Sequence, residues 1–237
     1  MIDVTRSYCG PAPAADTWWA VWNGDPILIG LLMLGAAATL RLPPAARAYG
    51  LAAVLVLALA FVSPLCALTT ALFTARSIHH LVLVTGAAPL LALAWPARRG
   101  GMTMALPAMA MLLWLWHVPP LYELALSDSA FYWMMQSALL AAAWWFWSAA
   151  FRAAMPIAFV GLVGAAAQMG MLGALLTFAP RPLYAAHLAT TVSYGIGPLR
   201  DQQLAGLVMW LPGMLPFAVA AGLIAIRHWR ALGPIAA

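Results

Sequence analysis

A chain of 237 residues of which 65% are hydrophobic and 7% charged cannot present the wetted surface of a soluble domain, where about a quarter of residues are charged. The 11 basic residues, all arginine, face 6 acidic ones, and they are scattered between apolar runs rather than gathered on one face. This excludes a nucleic-acid reader and makes the positive balance a marker of membrane topology. The expected fold is all-α: one polytopic membrane bundle, its length consumed by apolar segments that can cross a bilayer.

Residues 1–25 read as an arm lying at the outer membrane interface, carrying Cys9-Gly-Pro-Ala-Pro and the tryptophans Trp18, Trp19 and Trp22. It has no basic stretch leading into an apolar run and is therefore no cleavable signal. The first span is expected from Pro26 to about Leu42, with Asp25 as its cap and Pro26 at its first position. The second runs from about Tyr49 to Phe73, interrupted at Ser63-Pro64, and the third from about Ser77 to Pro96. The fourth covers about Met102 to Val118, closed by Pro119-Pro120. Ser129 to Phe151, Pro156 to Ala179 and Gln202 to Ile226 supply the fifth, sixth and seventh. The uncharged stretch from Pro182 to Leu199 is too rich in Gly, Thr, Ser and Pro to be a span and reads as a loop or re-entrant segment. The seven-helix membrane domain thus covers residues 26–228, followed by a cytoplasmic tail, 229–237. Gly161, Gly164, Gly170 and Gly173 indicate close helix packing.

Orientation follows from arginine. Under the seven-span reading Arg41, Arg47, Arg98, Arg99, Arg152, Arg227 and Arg230 lie on one side, and Arg6, Arg76, Arg181 and Arg200 on the other. The richer side belongs in the cytoplasm and the N-terminus in the periplasm. All six acids, Asp3, Asp16, Asp25, Glu123, Asp128 and Asp201, then fall on the outer side.

Sorting the remaining polar chemistry by side brings soft ligands to one level. His79 and His80 open the third span, His117 closes the fourth, and His187 sits in the loop between the sixth and seventh; only His228 is cytoplasmic. Cys9, Cys66 and the pair Met134-Met135 are on the same outer side. Thiolate, imidazole and thioether together suit Cu(I), whereas hard cations need oxygen ligands that are scarce here. Adjacent histidines on a helix point about 100° apart, so at least one of His79 and His80 must face the bundle, and His80 is the expected one. Each has a plainer role open to it. A histidine at a helix end can be an interfacial cap, the two cysteines can form a disulfide on an oxidising face, and most methionines are packing. Asp201 is placed to cap the seventh helix, with pairing to Arg200 or Arg76 as its other option. There is no phosphate-binding glycine loop, no Cys-x-x-Cys and no nucleophilic triad, so the chain is not expected to be an enzyme. Haem held by His80 and His117 is the second chemistry.

Three stretches carry a resemblance: SPLCALTTALFTARSIHHLVLVTGAAPLLALAWP from Ser63, WHVPPLYELAL from Trp116, and RPLYAAHLATTVSYGIGPLRDQQLAGLVMWLPG from Arg181. Across about residues 60–226 the chain is similar to the CtaG family of multi-span cytochrome c oxidase assembly factors. The resemblance implies a bacterial inner-membrane protein that helps mature a haem-copper oxidase. His80 and His117 match family histidines, and Asp201, Gln202 and Trp210 match the last motif. Arg76 and Gln136 stand where many members carry histidine. The combined expectation is copper, as Cu(I), held by Cys66, His80 and His117 with Cys9 and His79, and passed at the periplasmic face. The expected partners are oxidase subunits and periplasmic copper chaperones within the lipid bilayer, with no nucleic acid. The alternatives are a metal-free membrane chaperone holding an oxidase subunit and a haem- or quinone-binding redox protein.

Overall fold

In lipid every backbone amide and carbonyl must be paired inside its own segment, which is why long uncharged stretches fold as helices. A computed structural model describes residues 7–231, and these are helical with no strand among them. The helices are α1 (Pro26–Thr39), α2 (Pro44–Phe61), α3 (Leu65–Ala71), α4 (Phe73–Leu81), α5 (Ala88–Ala94), α6 (Met102–Leu115), α7 (Pro119–Ser127), α8 (Ser129–Arg152), α9 (Met155–Phe178) and α10 (Pro198–Ala231). Asp3 and Arg6 of the arm and residues 232–237 of the tail lie outside the described residues. Four helical runs are long and apolar enough to cross a membrane: α2, the continuous run Phe73–Ala94, α9 and α10. The pair α6 and α7, bent by 76°, makes a fifth. Helix α1 is apolar but short, and α8, as long as α9, is diluted by Gln136, Ser137, Ser148 and its tryptophans.

Several boundaries differ from the expectation for physical reasons. The second segment is interrupted at Ser63-Pro64, as expected: it stops at Phe61, turns there and resumes as the short α3. But α3 ends at Ala71 and Leu72 is extended (φ −126°, ψ 131°), so the segment does not reach Phe73. Helix α4 therefore starts at Phe73, four residues before the expected Ser77. Between α4 and α5 the chain widens into a π-helical turn, Val82–Ala87. Pro89 follows it and has no N–H to give; in this i→i+5 register, in which the Ala88 amide bonds the Leu83 carbonyl, the Val84 carbonyl is left free. It accepts the indole N–H of Trp147 at 2.8 Å. The stretch 182–199 is, as expected, no span: it holds only two short 3-10 turns, Ala185–His187 and Thr191–Tyr194.

Helices α9 and α10 form the most intimate pair, packed where glycine removes the side chain. A methyl group on Gly173 would stand 2.7 Å from the Gly206 carbonyl oxygen and 2.9 Å from the Trp210 amide. Helix α10 also rests on α4, α6 packs on α8 and α9, and α2 packs on α5, with α1 outermost against α2. The core is closed by Trp147, which stacks on Phe217 at 5.2 Å, and by Phe146, Leu162 and Met169.

The turns that carry Arg41, Arg47, Arg98, Arg99 and Arg152 gather at one end. Arg152 donates to the Gly100 carbonyl (3.1 Å) and Trp145 to that of Arg99 (3.1 Å), joining the α5–α6 turn to the end of α8. Trp95 packs against Gly50 beside Thr39, which brings the α1–α2 turn to the same end. Arg76 departs from its expected place among the outer loop charges. It is fully buried inside the bundle, so it belongs to the interior and not to the topology count.

Candidate metal-ligand site

The side chains that sorted to the outer level converge around α4, and the start of that helix is fixed from a distance. Leu72 leaves the Phe73 and Thr74 amides without a helical partner, and the Asp201 carboxylate accepts both, at 2.6 and 3.2 Å. Asp201 thus caps α4 rather than its own helix, and the Thr74 hydroxyl returns a bond to the Asp201 carbonyl (2.9 Å). Its neighbour Gln202 accepts the Leu183 amide at 2.6 Å and so holds the loop over this end. The Asp-Gln pair ties α10, α4 and the loop into one frame.

From that frame α4 projects Arg76, Ser77, His79 and His80, all buried. Only one histidine was required to face inward; the structure buries both, because α4 is enclosed on two sides. His79 lies edge-on to Phe61 of α2 at 5.0 Å, and neither of its ring nitrogens has a hydrogen-bond partner. His80 faces the other way. Its ring is 6.2 Å from that of His117, centroid to centroid, and its Nε2 is buried and unpartnered. His117 sits at the break between α6 and α7, where Pro119 and Pro120 end the α6 run. Its Nδ1 is 2.7 Å from the Leu113 carbonyl. A carbonyl only accepts, so Nδ1 carries the proton and Nε2 carries the lone pair.

Cys9 and Cys66 form the second set, and they are bonded to each other in a disulfide, 57 residues apart in sequence. A disulfide sulfur has no hydrogen to give, so the Tyr132 hydroxyl, 3.3 Å from Cys9 Sγ, is the donor there. The bridge ties the arm to α3. Tyr8 adds a bond from its hydroxyl to Asp25 (2.7 Å), and Tyr194 reaches back to the Pro13 carbonyl (2.8 Å). Burial and the Asp25 carboxylate push the Tyr8 phenol up to about 12. Asp25 also caps α1 as expected, accepting the Ile27 amide at 2.8 Å.

His187 is spoken for. The Tyr122 hydroxyl donates to its Nε2 at 2.6 Å and its Nδ1 lies 3.4 Å from the Ala71 carbonyl. Burial lowers its pKa from 6.5 to about 4, with the Ala71 carbonyl opposing the shift and the Arg76 charge adding to it. Arg76 itself donates from Nη1 to Thr69 Oγ1 (3.2 Å) and lies over the ring of Tyr132 at 5.1 Å. Its Nε and Nη2 have no partner.

The five expected ligands therefore stand as a His80–His117 pair, a Cys9–Cys66 disulfide, and His79 turned toward the disulfide side. Among the described residues no three side chains of His, Cys, Asp or Glu group together as a metal site. What sequence reasoning passed over lies on the His80–His117 side. A cavity of about 10 Å³ there is lined by Ser77, His80 and His117 and by the methionines Met169 and Met209. Those two are single methionines inside apolar helices, and nothing in their spacing distinguishes them from packing. Met134 is half exposed, and Met135 is buried with Trp116 and Leu139.

Residues 102–231 match the model of a family described as cytochrome c oxidase caa3 assembly factor. The matched region holds His117, Met169, Asp201 and Met209, while His79, His80 and both cysteines precede it. No curated protein and no solved structure matches the chain.

Proposed function

The chain belongs to the cytochrome c oxidase caa3 assembly factor family, and on that premise we propose that it binds Cu(I) at the periplasmic face of a bacterial inner membrane and passes it to an oxidase subunit. Copper here is cargo, received from a periplasmic copper chaperone and given up to the partner. The seven segments cross the membrane with the N-terminus outward. The observation that carries the reading is the buried His80–His117 pair, with the Nε2 of His80 unpartnered and that of His117 left as a lone pair. Leaving a polar nitrogen unpaired in such surroundings costs roughly 1–3 kcal/mol, a cost that a bound metal ion removes. The two rings lie close together, 6.2 Å between their centres. His79 stands behind the pair. Cys9 and Cys66 enter as ligands only as the dithiol, which two electrons and two protons from a thiol reductant would supply.

The test is Cu(I) binding by the detergent-purified protein, with competition against a chromogenic Cu(I) chelator, for the wild type, for His80→Ala with His117→Ala, and for Cys66→Ser. The expected result is about one equivalent held by the wild type and lost with the two histidines. Copper bound equally well without them would sink the pair as the site. No copper under any condition would favour the metal-free chaperone, and a visible absorption band would favour haem.

A further inference from the structure

We infer that the copper ligand set is completed by thioether sulfur from Met169 and Met209, making a buried two-histidine, two-methionine Cu(I) site that does not use the cysteines. The inference rests on the copper-handling reading above and specifies the site it needs. Four different elements converge on one small cavity: His80 from α4, His117 from the α6–α7 break, Met169 from α9 and Met209 from α10. The methionines are 2% and 3% exposed, so their sulfurs face protein and not lipid. Close packing of α9 on α10 at Gly173 and Gly206 brings the two methionine-bearing helices together, and Asp201 docks α10 on α4. The geometry is thus built by the same frame that holds the helix start.

Size and chemistry select the occupant. About 10 Å³ is the room of one water-sized sphere. A water would find Ser77 Oγ and His80 Nε2, neither of which has a partner, but it gains little from thioether sulfur, a weak acceptor. A soft monovalent ion uses all four groups, because thioether and imidazole are ligands that favour Cu(I). All four ligands are neutral, and the fixed positive charge of Arg76 lies one helical turn before His80. A second cation beside it is held less tightly than the ligand set alone would hold it, which suits an ion that must be released. The cysteines, closed in a disulfide that packs with Phe61 on the His79 side and does not line the cavity, are left to fasten the arm.

X-ray absorption at the copper edge tests this on full-length protein in detergent, loaded with Cu(I) alone, in a Cys9→Ser/Cys66→Ser background so that methionine is the only sulfur left. A sulfur shell beside nitrogen is expected. Labelling the same protein with selenomethionine should replace it with a copper–selenium vector, which needs no substitution in the core. The volume-conserving Met169→Leu/Met209→Leu pair should weaken Cu(I) binding by at least the roughly tenfold to hundredfold that loss of even an outer-shell partner costs. A shell of nitrogen only, with no selenium vector and an unchanged affinity in the leucine variant, overturns the inference. If that shell is still lost with His80 and His117, the copper-handling reading survives it. A cysteine-free protein that no longer binds Cu(I) while the wild type does returns the site to the thiolates, and a wild type that binds none removes both.

Discussion

His187 illustrates how far a residue's chemistry depends on surroundings that its position in the sequence does not reveal. As a loop histidine it was a candidate ligand; in the fold it is a rivet between Tyr122 and the Ala71 carbonyl, with both ring nitrogens engaged. Its lowered pKa makes that rivet sensitive to acid. Above about pH 6.5 the ring is neutral folded or unfolded, so it contributes no pH dependence. As pH falls from 6.5 toward the folded value of about 4, the unfolded chain takes up a proton that the folded one refuses. Stability is then lost at up to about 1.4 kcal/mol per pH unit, and the loss levels off below both values. Thermal unfolding in detergent at about pH 7.5 and about pH 5 should show a larger drop for the wild type than for His187→Gln. Equal drops would mean that other groups carry the acid sensitivity. At this scale the inward turn of His80 was legible, because adjacent helical residues diverge by about 100°. The burial of His79 and Arg76 was not, since it depends on α4 being covered by α2 on one side and α10 on the other. Asp201 was legible as a cap but not as the cap of another helix. That role is created by Leu72, whose extended conformation frees the Phe73 and Thr74 amides, 128 and 127 residues from Asp201 in sequence.

At the scale of elements the long apolar runs declared themselves, as did the interruption at Ser63-Pro64, and what escaped were the second break at Leu72 and the π-helical turn. The extended Leu72 and the π-helical turn at Val82–Ala87 go with tertiary pairing of freed backbone groups: the Phe73 and Thr74 amides with Asp201, and the Val84 carbonyl with Trp147. Small residues, by contrast, announce close helix contact directly, and the α9–α10 pair tests that reading. A methyl on Gly173 meets backbone on the facing helix, the Gly206 oxygen at 2.7 Å and the Trp210 nitrogen at 2.9 Å. Backbone cannot swing aside as a flexible side chain can, so the helices must part. Gly173→Ala is expected to destabilise by roughly 1–3 kcal/mol, the usual cost of overpacking. Gly222 lies in the same α10 with open space around it. There the better helix propensity of alanine should leave Gly222→Ala neutral or more stable by up to about 1 kcal/mol. Melting temperatures in one detergent for the two variants check the contrast. If both behave alike, the α9–α10 contact is not the tight one described. Because Met169 and Met209 ride on these helices, Gly173→Ala should also loosen the cavity they line.

For the molecule as a whole, two independent features support the proposed orientation, and they agree. Arg98, Arg99 and Arg152 are drawn to one end by the bonds between the α5–α6 turn and α8, and Arg41 and Arg47 join them through Trp95 and Gly50. Such an excess marks the cytoplasmic side. The Cys9–Cys66 disulfide lies at the other end, with Asp25, Asp201, His79, His80, His117 and His187, and disulfides persist chiefly in oxidising compartments. Removing Arg76 from the outer count, since it is buried, sharpens the asymmetry rather than weakening it. Gly101, exposed in the α5–α6 turn, and Gly197, exposed ahead of α10, are suitable reporters. Neither has a crowded position for a side chain, nothing standing closer than 3.9 Å to a methyl group placed there. In a Cys9→Ser/Cys66→Ser background in intact cells, a membrane-impermeant maleimide should label Gly197→Cys at once and Gly101→Cys only after permeabilisation. The reverse pattern would put the His80–His117 pair at the cytoplasmic face and the disulfide in a reducing compartment. Copper delivery from the periplasm would then fail together with the orientation. The expected pattern places the cavity within reach of a periplasmic donor and leaves the arginine end to the anionic inner leaflet.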